Sequence, residues 1–324
     1  MFDATTILIT GGTGSFGQAC AKYLLTRYKP KKIIIFSRDE FKQYEMAKKL
    51  SPKQYPAIRY FIGDVRDKER LYRAFNGVDY VIHAAALKHV PSAEYNPFEA
   101  IKTNINGAAN VIDAAIDLKI KKVIALSTDK AVSPVNLYGA TKLCSDKLFA
   151  AANAYSPATR FSAVRYGNVL GSRGSVIPFF LQQRGTGVLP VTDPRMTRFW
   201  ITLESGVKFV LACFGRMLGG ETFVPKLPSM NIMDLARAIG PDCRIEVVGI
   251  RPGEKIHELM IPGDEGRNTR EFEDHYVICS PFFRQSLGDR PLPGAPVPEG
   301  FEYNSGSNAW QLTVEELRNL VDVA

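Results

Sequence analysis

The start of the chain constrains its fold most. An apolar run at residues 5–10 (TTILIT) passes straight into Gly11-Gly12-Thr13-Gly14-Ser15-Phe16-Gly17. Glycines at this spacing permit a tight turn and let the backbone approach a pyrophosphate at a helix N-terminus. Elsewhere the same letters could be an ordinary turn. Here they follow a strand and open a helix, which is the context the motif needs. A strand, a glycine turn and a helix at the N-terminus commit the first half of the chain to alternating β and α elements.

The rest of that half agrees. Residues 32–36 (KIIIF), 59–62 (RYFI), 79–86 (DYVIHAAA), 122–127 (KVIALS) and 161–166 (FSAVRY) are short runs, most apolar on both faces. Strands covered by helices on both sides read this way. Between them, residues 99–119 place Ile101, Ile105, Ala108, Ile112 and Ala115 on one helical stripe. The expected fold class is α/β, a doubly wound parallel sheet of the Rossmann type with a smaller C-terminal substrate-binding domain. The expected boundaries are residues 1–168 for the nucleotide-binding domain and 169–324 for the smaller one. Residues 199–227 should return to the first, with 199–217 as a helix. Residues 281–306, rich in Pro and Gly, read as loop.

Composition narrows the function classes. Hydrophobic residues make up 45% and charged residues 23%, which fits a folded globular chain rather than a disordered one. Lys and Arg total 41 against 33 Asp and Glu, a formal charge of +8. That favours anionic partners, yet no basic run interleaved with aromatics supports nucleic acid. The five cysteines, Cys20, Cys144, Cys213, Cys243 and Cys279, form no close pair. With no apolar run of about 18 residues and no secretory pattern, a cytoplasmic protein without membrane contact is expected.

The second strand ends at Ser37-Arg38, where an NAD site would carry a carboxylate for the ribose 2′-hydroxyl. A hydroxyl and a guanidinium suit a 2′-phosphate, so NADP is the expected cofactor. Asp39 is the dissenting residue and fits a helix N-cap. Asp64-Val65 follows the third strand, where Asp64 either meets the adenine amino group or caps the next helix. Tyr138 and Lys142 stand four apart on one helical face, and the lysine's charge is expected to lower the tyrosine pKa. Such a phenol can take a proton from a sugar hydroxyl as hydride leaves the same carbon. Ser127-Thr128 closes the fifth strand beside them.

These motifs resemble the extended short-chain dehydrogenase/reductase family, whose members act on nucleotide sugars. The resemblance rests on the glycine loop, residues 83–86 (HAAA), Asn104, the Tyr138/Lys142 pair, 165–168 (RYGN) and 251–255 (RPGEK). It implies a nicotinamide cofactor held by Gly11, Thr13, Gly14, Ser15, Phe16, Ser37, Arg38, Asp64, Val65, Ala84, Ala85, Ala86, Asn104, Ser127, Tyr138 and Lys142. For Asn104 it implies a structural or proton-relay role. Asp129-Lys130 stands where the retaining sugar-nucleotide 4,6-dehydratases carry Asp-Glu. With 83–91 (HAAALKHVP), 196–200 (MTRFW) and 251–258 (RPGEKIHE), that lysine is similar to the inverting branch. The branch implies a lyase acting on UDP-N-acetylglucosamine with NADP, a homo-oligomer reaching a hexamer, and the first step of pseudaminic acid biosynthesis.

In that chemistry Tyr138, with Lys142 and Thr128, serves oxidation at carbon 4. Lys130 is the candidate base at carbon 5 and Asp129 the acid at carbon 6. Lys130 must then be partly neutral: a bound nicotinamide and Lys142 would push its pKa down, and Asp129 would push it up. The plain alternative is a surface ion pair. Arg173, Arg198 and Arg251 are candidates for the diphosphate, Glu254 for a ribose hydroxyl, and Lys88 and Asn168 for the sugar or phosphates. His89, His257 and His275 lack ligand spacing, so no metal is expected. Trp200 and Trp310 read as packing residues. Two rival functions remain: a UDP-sugar 4-epimerase, which needs no acid–base pair at carbons 5 and 6, and a non-enzymatic NADP-sensing module, which needs no Tyr/Lys pair.

Overall fold

The computed structural model describes residues 1–171 and 175–322. Strand β1 (Thr6–Thr10) is buried along its whole length. Ile7 and Ile9 point into one core and Leu8 into the other, so alternation of side chains explains why the run is apolar throughout. Helix α1 (Ser15–Arg27) leads to β2 (Lys32–Ser37), α2 (Glu40–Lys49), β3 (Ile58–Ile62), α3 (Lys68–Phe75) and β4 (Tyr80–His83). The chain continues through α4 (Val90–Tyr95), α5 (Pro97–Ile101), α6 (Gly107–Asp117), β5 (Lys122–Leu126), α7 (Leu137–Ala151) and β6 (Arg160–Val164).

These six strands are parallel in the order β3-β2-β1-β4-β5-β6, and Glu221–Pro225 adds a seventh beside β6. The order reverses between β1 and β4, where Thr10 is in register with both Phe36 and His83. Crevices at such switch points are where open α/β sheets bind ligands. Asp39 caps α2 by accepting from Lys42 N, and Asp67 caps α3 by accepting from Arg70 N, at 2.9 Å each.

Several elements depart from the expectation. Residues 199–217 are not one helix: Thr197–Ile201 (TRFWI) is a strand paired with Ser229–Asn231, and the helix runs Leu203–Arg216. Thr202 accepts from Ser205 N at 3.1 Å and sets that helix start. The helix packs on the α1 face, Phe214 edge-on to Phe2 at 5.7 Å and to Tyr80 at 5.5 Å. The stretch 99–119 is helical with a π-helical turn, Lys102–Asn106, between α5 and α6. Within 281–306, expected as loop, lie the helix Pro281–Leu287, capped by Ser280, and the short strands Ala295–Pro296 and Tyr303–Asn304. Pro281 at the first helical position suits a helix start rather than a loop.

Residues after 168 serve two bodies. Glu221–Pro225, Thr269–Glu271, His275–Cys279 and Ala295–Pro296 extend the large sheet to ten strands, the last three antiparallel to their neighbours. Leu189, Trp200, Leu235 and Leu317 close a separate core between short strands and helices. Phe180, Val191, Met196 and Ile232 of that core line the cleft.

Candidate active site

The glycine turn lies at the β1/β4 crevice. Gly11 has φ +63°, and a Cβ there would come within 2.8 Å of the Ala85 backbone. Only glycine lets the turn lie against the strip formed by Ala84 and Ala85. Thr10 Oγ1 bonds His83 Nδ1 at 2.8 Å and accepts from Ala85 N at 3.2 Å, fixing that strip to β1. Gly14 precedes α1 without a side-chain cap, so the first turn of the helix keeps its N–H groups for an anion. A dinucleotide pyrophosphate fits this cradle.

At the tip of β2, Ser37 Oγ bonds Thr13 Oγ1 at 2.8 Å and ties the loop to the strand. Arg38 is half exposed, with its guanidinium 3.6 Å from Asp64. Asp39 is occupied as the α2 cap and by Lys42 at 2.8 Å. Asp64 does not cap α3, a place Asp67 takes; it accepts from Arg66 N and from the Arg66 guanidinium.

On the other side of β4, Asn136 starts α7 by accepting from Gly139 N at 2.8 Å. A side chain at residue 139 would collide with the Lys130 carbonyl, so the glycine of the Tyr-Gly-Ala-Thr-Lys run lets the turn 129–131 pack on the helix. Tyr138 and Lys142 face the cleft together, 9% and 3% exposed. Burial pushes the Tyr138 phenol up to about 12, and the charge that pulls it back is that of Lys130, helped by a hydrogen bond with Thr128. Lys142, expected to lower it, is itself pulled down by burial and supported by Asp146, one turn on. Ser127 Oγ donates to Asp146 Oδ2. Asn104, placed by the π-helical turn, accepts from Leu87 N at 2.8 Å and donates to Leu87 O and Thr141 Oγ1 at 2.9 Å. Its amide is therefore spent on holding the loop after β4 to α7, and it does not line the cleft as a cofactor ligand would.

The Asp129–Lys130 pair is no surface bridge. Asp129 is fully buried, its Oδ1 3.1 Å from Lys130 Nζ and accepting from Thr128 Oγ1 at 2.9 Å. Lys130 Nζ also lies 3.4 Å from Glu258 Oε1, which is 3.6 Å from Arg198 Nε. Burial works to lower the Lys130 ammonium, but Asp129 and Glu258 outweigh it and hold its pKa above the ordinary value. Burial raises the Asp129 carboxyl in spite of Lys130 beside it. The contest left open by the sequence is thus decided by carboxylates. Lys130 is held toward its charged form, while burial pulls Asp129 toward its protonated form.

Glu258, Asp146 and Lys255 were missed as site residues. Glu258 and Lys255 lie within the 251–258 motif, and their roles needed only the contact with Lys130 and the Lys255 Nζ bond to Val132 O at 2.6 Å to become visible. Nothing in the sequence marks Asp146. Lys88, Asn168, Arg198, Arg251 and Glu254 all line the same cleft. Asn168 Oδ1 and Glu254 Oε2 are buried without a partner, as groups awaiting a polar ligand would be. Arg173 lies outside the described residues. Among the described residues no acidic, His or Cys cluster could hold a metal, and His89, His257 and His275 bond Ser92, Thr197 and Asp274 respectively. Trp200 is core, whereas Trp310 is 54% exposed. The cleft, about 1190 Å³, exceeds the usual single-ligand pocket and has room for a dinucleotide and a nucleotide sugar together.

A parallel sheet with a glycine turn at its switch point, and a tyrosine and lysine one turn apart facing the same crevice, define a nucleotide-dependent enzyme of the extended short-chain dehydrogenase/reductase fold. The chain belongs to the family described as polysaccharide biosynthesis protein, whose model matches residues 7–280. It is 57% identical to a UDP-N-acetylglucosamine 4,6-dehydratase (inverting) of Campylobacter jejuni, over 99% of this chain and 98% of that protein. It is 45% identical to a UDP-glucose 4-epimerase of Rickettsia conorii, over 99% and 96%. Among solved structures, Pen from Bacillus thuringiensis superposes with a TM-score of 0.90 at 38% identity, covering 100% and 99% of the two chains. The fold is shared with DesIV, a dTDP-glucose 4,6-dehydratase from Streptomyces venezuelae solved with NAD, at a TM-score of 0.68 and 21% identity over 78% and 87%. No helix of the described residues is long and apolar enough to cross a membrane.

Proposed function

We propose that the protein is an inverting UDP-N-acetylglucosamine 4,6-dehydratase. The observation that carries this reading is the buried Asp129–Lys130 pair beside Tyr138 in the nucleotide cleft. A 4-epimerase has the same first step but no use for an acid and a base at carbons 5 and 6. The Rickettsia relatives keep that reading alive as the second choice.

A bound nicotinamide supplies hydride acceptance from carbon 4 and hydride return to carbon 6, with no net redox change. The residues do the rest. Tyr138 takes the carbon-4 hydroxyl proton, with Thr128 holding the phenol and Lys130 lowering it toward ionisation. The carbon-4 ketone acidifies carbon 5. Lys130, once it has passed its own proton to solvent through its exposed side, takes the carbon-5 proton, while Asp129 gives its proton to the carbon-6 hydroxyl, which leaves as water. Inversion then requires the proton returning to carbon 5 to arrive on the face opposite the one attacked. Arg198, Arg251 and Lys88 neutralise the diphosphate, and the open valences of Asn168 and Glu254 take hydroxyls. Arg173 is proposed as a further phosphate contact.

NADP is the cofactor we propose over NAD. Asp39 is committed to Lys42 and its own helix, leaving Arg38 as the cation at the ribose end. We further propose a nucleotide domain, residues 1–168 with the returning sheet strands, facing a smaller sugar-nucleotide domain. A homo-oligomer in the cytoplasm and a place at the start of pseudaminic acid biosynthesis complete the reading. The test is incubation of the purified protein with UDP-N-acetylglucosamine, without added nucleotide, and NMR of the product. A 4-keto-6-deoxy sugar lighter by one water, with carbon-5 couplings of the inverted configuration, is expected. An isomer of unchanged mass would establish the epimerase instead.

A further inference from the structure

Glu258 has no place in the chemistry assigned so far, yet it is built into the site with care. It is 3% exposed and lines the cleft. Its backbone is pinned on both sides by one serine: Glu258 N donates to Ser305 Oγ, and Ser305 N donates to Glu258 O, each at 2.9 Å. One carboxylate oxygen sits 3.4 Å from Lys130 Nζ and 3.6 Å from Arg198 Nε. The other, Oε2, is buried with no partner. A buried carboxylate with a spare valence beside two cations is costly unless it serves something.

We propose that Glu258 is a positioning residue of the dehydration step: its carboxylate bridges Lys130 and Arg198, holds the amine of the acid–base pair in place, and governs when that amine gives up its proton. The inference rests on the dehydratase reading. The groups facing Lys130 come from every neighbouring element: Asp129 from its own turn, Tyr138 from α7, Arg198 from the strand Thr197–Ile201, Lys255 and Glu258 from the late segment, and Lys88 from the loop after β4. Of these only Asp129 and Glu258 are carboxylates. Burial raises the Asp129 pKa, whereas Lys130, Arg198 and Lys255 together lower that of Glu258 against its own burial. Glu258 is therefore the second carboxylate on the amine after Asp129, and the one that also touches Arg198. Because it is shared with Arg198, a diphosphate that engages this arginine alters the same bridge.

The test compares wild type and Glu258→Gln for product formation from UDP-N-acetylglucosamine across pH, with absorbance of the reduced nicotinamide followed in parallel. Loss of the Lys130 proton makes the rate rise with pH. Removing an opposite charge at this distance moves such a limb by about 1–3 pH units. The expected result is a kcat limb displaced to lower pH in Glu258→Gln, with reduced nicotinamide still formed in the first step, because Glu258 bonds neither Tyr138 nor Lys142. A limb coincident with that of wild type, whatever the loss of rate, overturns the proposal, since a merely structural role would lower the rate at every pH alike. Should Glu258→Gln not fold, Glu258→Asp withdraws the charge by one methylene; its limb should move the same way by less, and an unmoved limb overturns the proposal equally. Wild type that forms reduced nicotinamide but no product lighter by water defeats the dehydratase reading itself, a result distinct from an unmoved limb in an enzyme that dehydrates.

Discussion

The two walls of the cleft are made by opposite means. The nucleotide wall is mostly backbone: Gly11 at positive φ, the uncapped start of α1 and the strip at Ala84–Ala85, all within a few residues of two adjacent strand ends. The sugar-nucleotide wall is mostly side chains from segments far apart in the chain: Lys88, Asn168, Arg198 and residues 251–258. Backbone walls depend on the absence of side chains and fail by collision. Side-chain walls depend on charges held at set distances and fail by losing a partner. The acid–base pair sits between them, on the turn after β5, and borrows from both: its turn packs on Gly139, and its charge is set by Glu258.

The largest expected effect is at this junction. Lys130→Ala and Tyr138→Phe should each cost about 10²- to 10⁴-fold in dehydration, the usual worth of a positioned acid or base. They should fail at different points. In deuterated water, Lys130→Ala should put little or no deuterium on carbon 5 while still binding UDP-N-acetylglucosamine, and Tyr138→Phe should already be slowed in forming reduced nicotinamide. Wild-type rates and intact inversion in Lys130→Ala would remove the pair from the mechanism.

Next comes the backbone wall. Gly11→Ala brings a Cβ to 2.8 Å from the Ala85 backbone at φ +63°, where strain and collision together cost about 2–4 kcal/mol. Calorimetry should show a lowered Tm, and the purified variant should carry little nucleotide. A variant as stable and as fully loaded as wild type would show that the cradle is looser than its contacts imply.

Arg38→Ala is a smaller effect confined to the same wall. Losing one exposed phosphate contact should weaken NADP about 10-fold and leave NAD nearly unchanged, read by titration of the nucleotide-free protein. Equal weakening of both would mean that Arg38 serves the adenosine half rather than a 2′-phosphate.

A further effect, seen only as pH falls, concerns the strand end between the walls. Burial, with Lys142 nearby, pushes the His83 pKa down to about 3. The unfolded chain, with an ordinary histidine, then binds more protons than the native one below about pH 6.5. Stability is accordingly full above that pH and lost progressively as pH falls toward 3, at up to about 1.4 kcal/mol per pH unit. His83→Gln should flatten the fall in Tm between pH 6 and 4; an equal slope in both proteins would mean that other groups govern it.

Much of this was legible beforehand because it is local. The glycine loop, the strand runs and the Tyr138/Lys142 spacing are each written in one contiguous segment, so period and context sufficed to place them at one crevice. The errors are equally physical. Residues 199–217 read as one helix because the apolar pattern runs through both elements, but TRFWI is β-branched and aromatic, and Thr202 caps the true start. The stretch 281–306 read as loop because proline and glycine also mark helix starts and sheet edges. Asp64 and Asp67 are equivalent as caps on paper, and the choice fell to whichever aligned with Arg70 N.

The amino-acid sequence by itself determined the alternation of strands and helices in the first half, the backbone cradle and the presence of a Tyr/Lys pair and an Asp/Lys pair, since each depends on neighbours a few residues away. Only the tertiary structure decided what those groups are. Lys130 is held toward its charged form by Asp129 beside it and, in addition, by Glu258, 128 positions further along, which only the fold brings to 3.4 Å from it. Asn104 holds a loop because the π-helical turn aims it at Leu87. Charge states and hydrogen-bond partners follow from distances of a few ångströms in a poorly hydrated interior, and such distances between remote segments are set by packing alone.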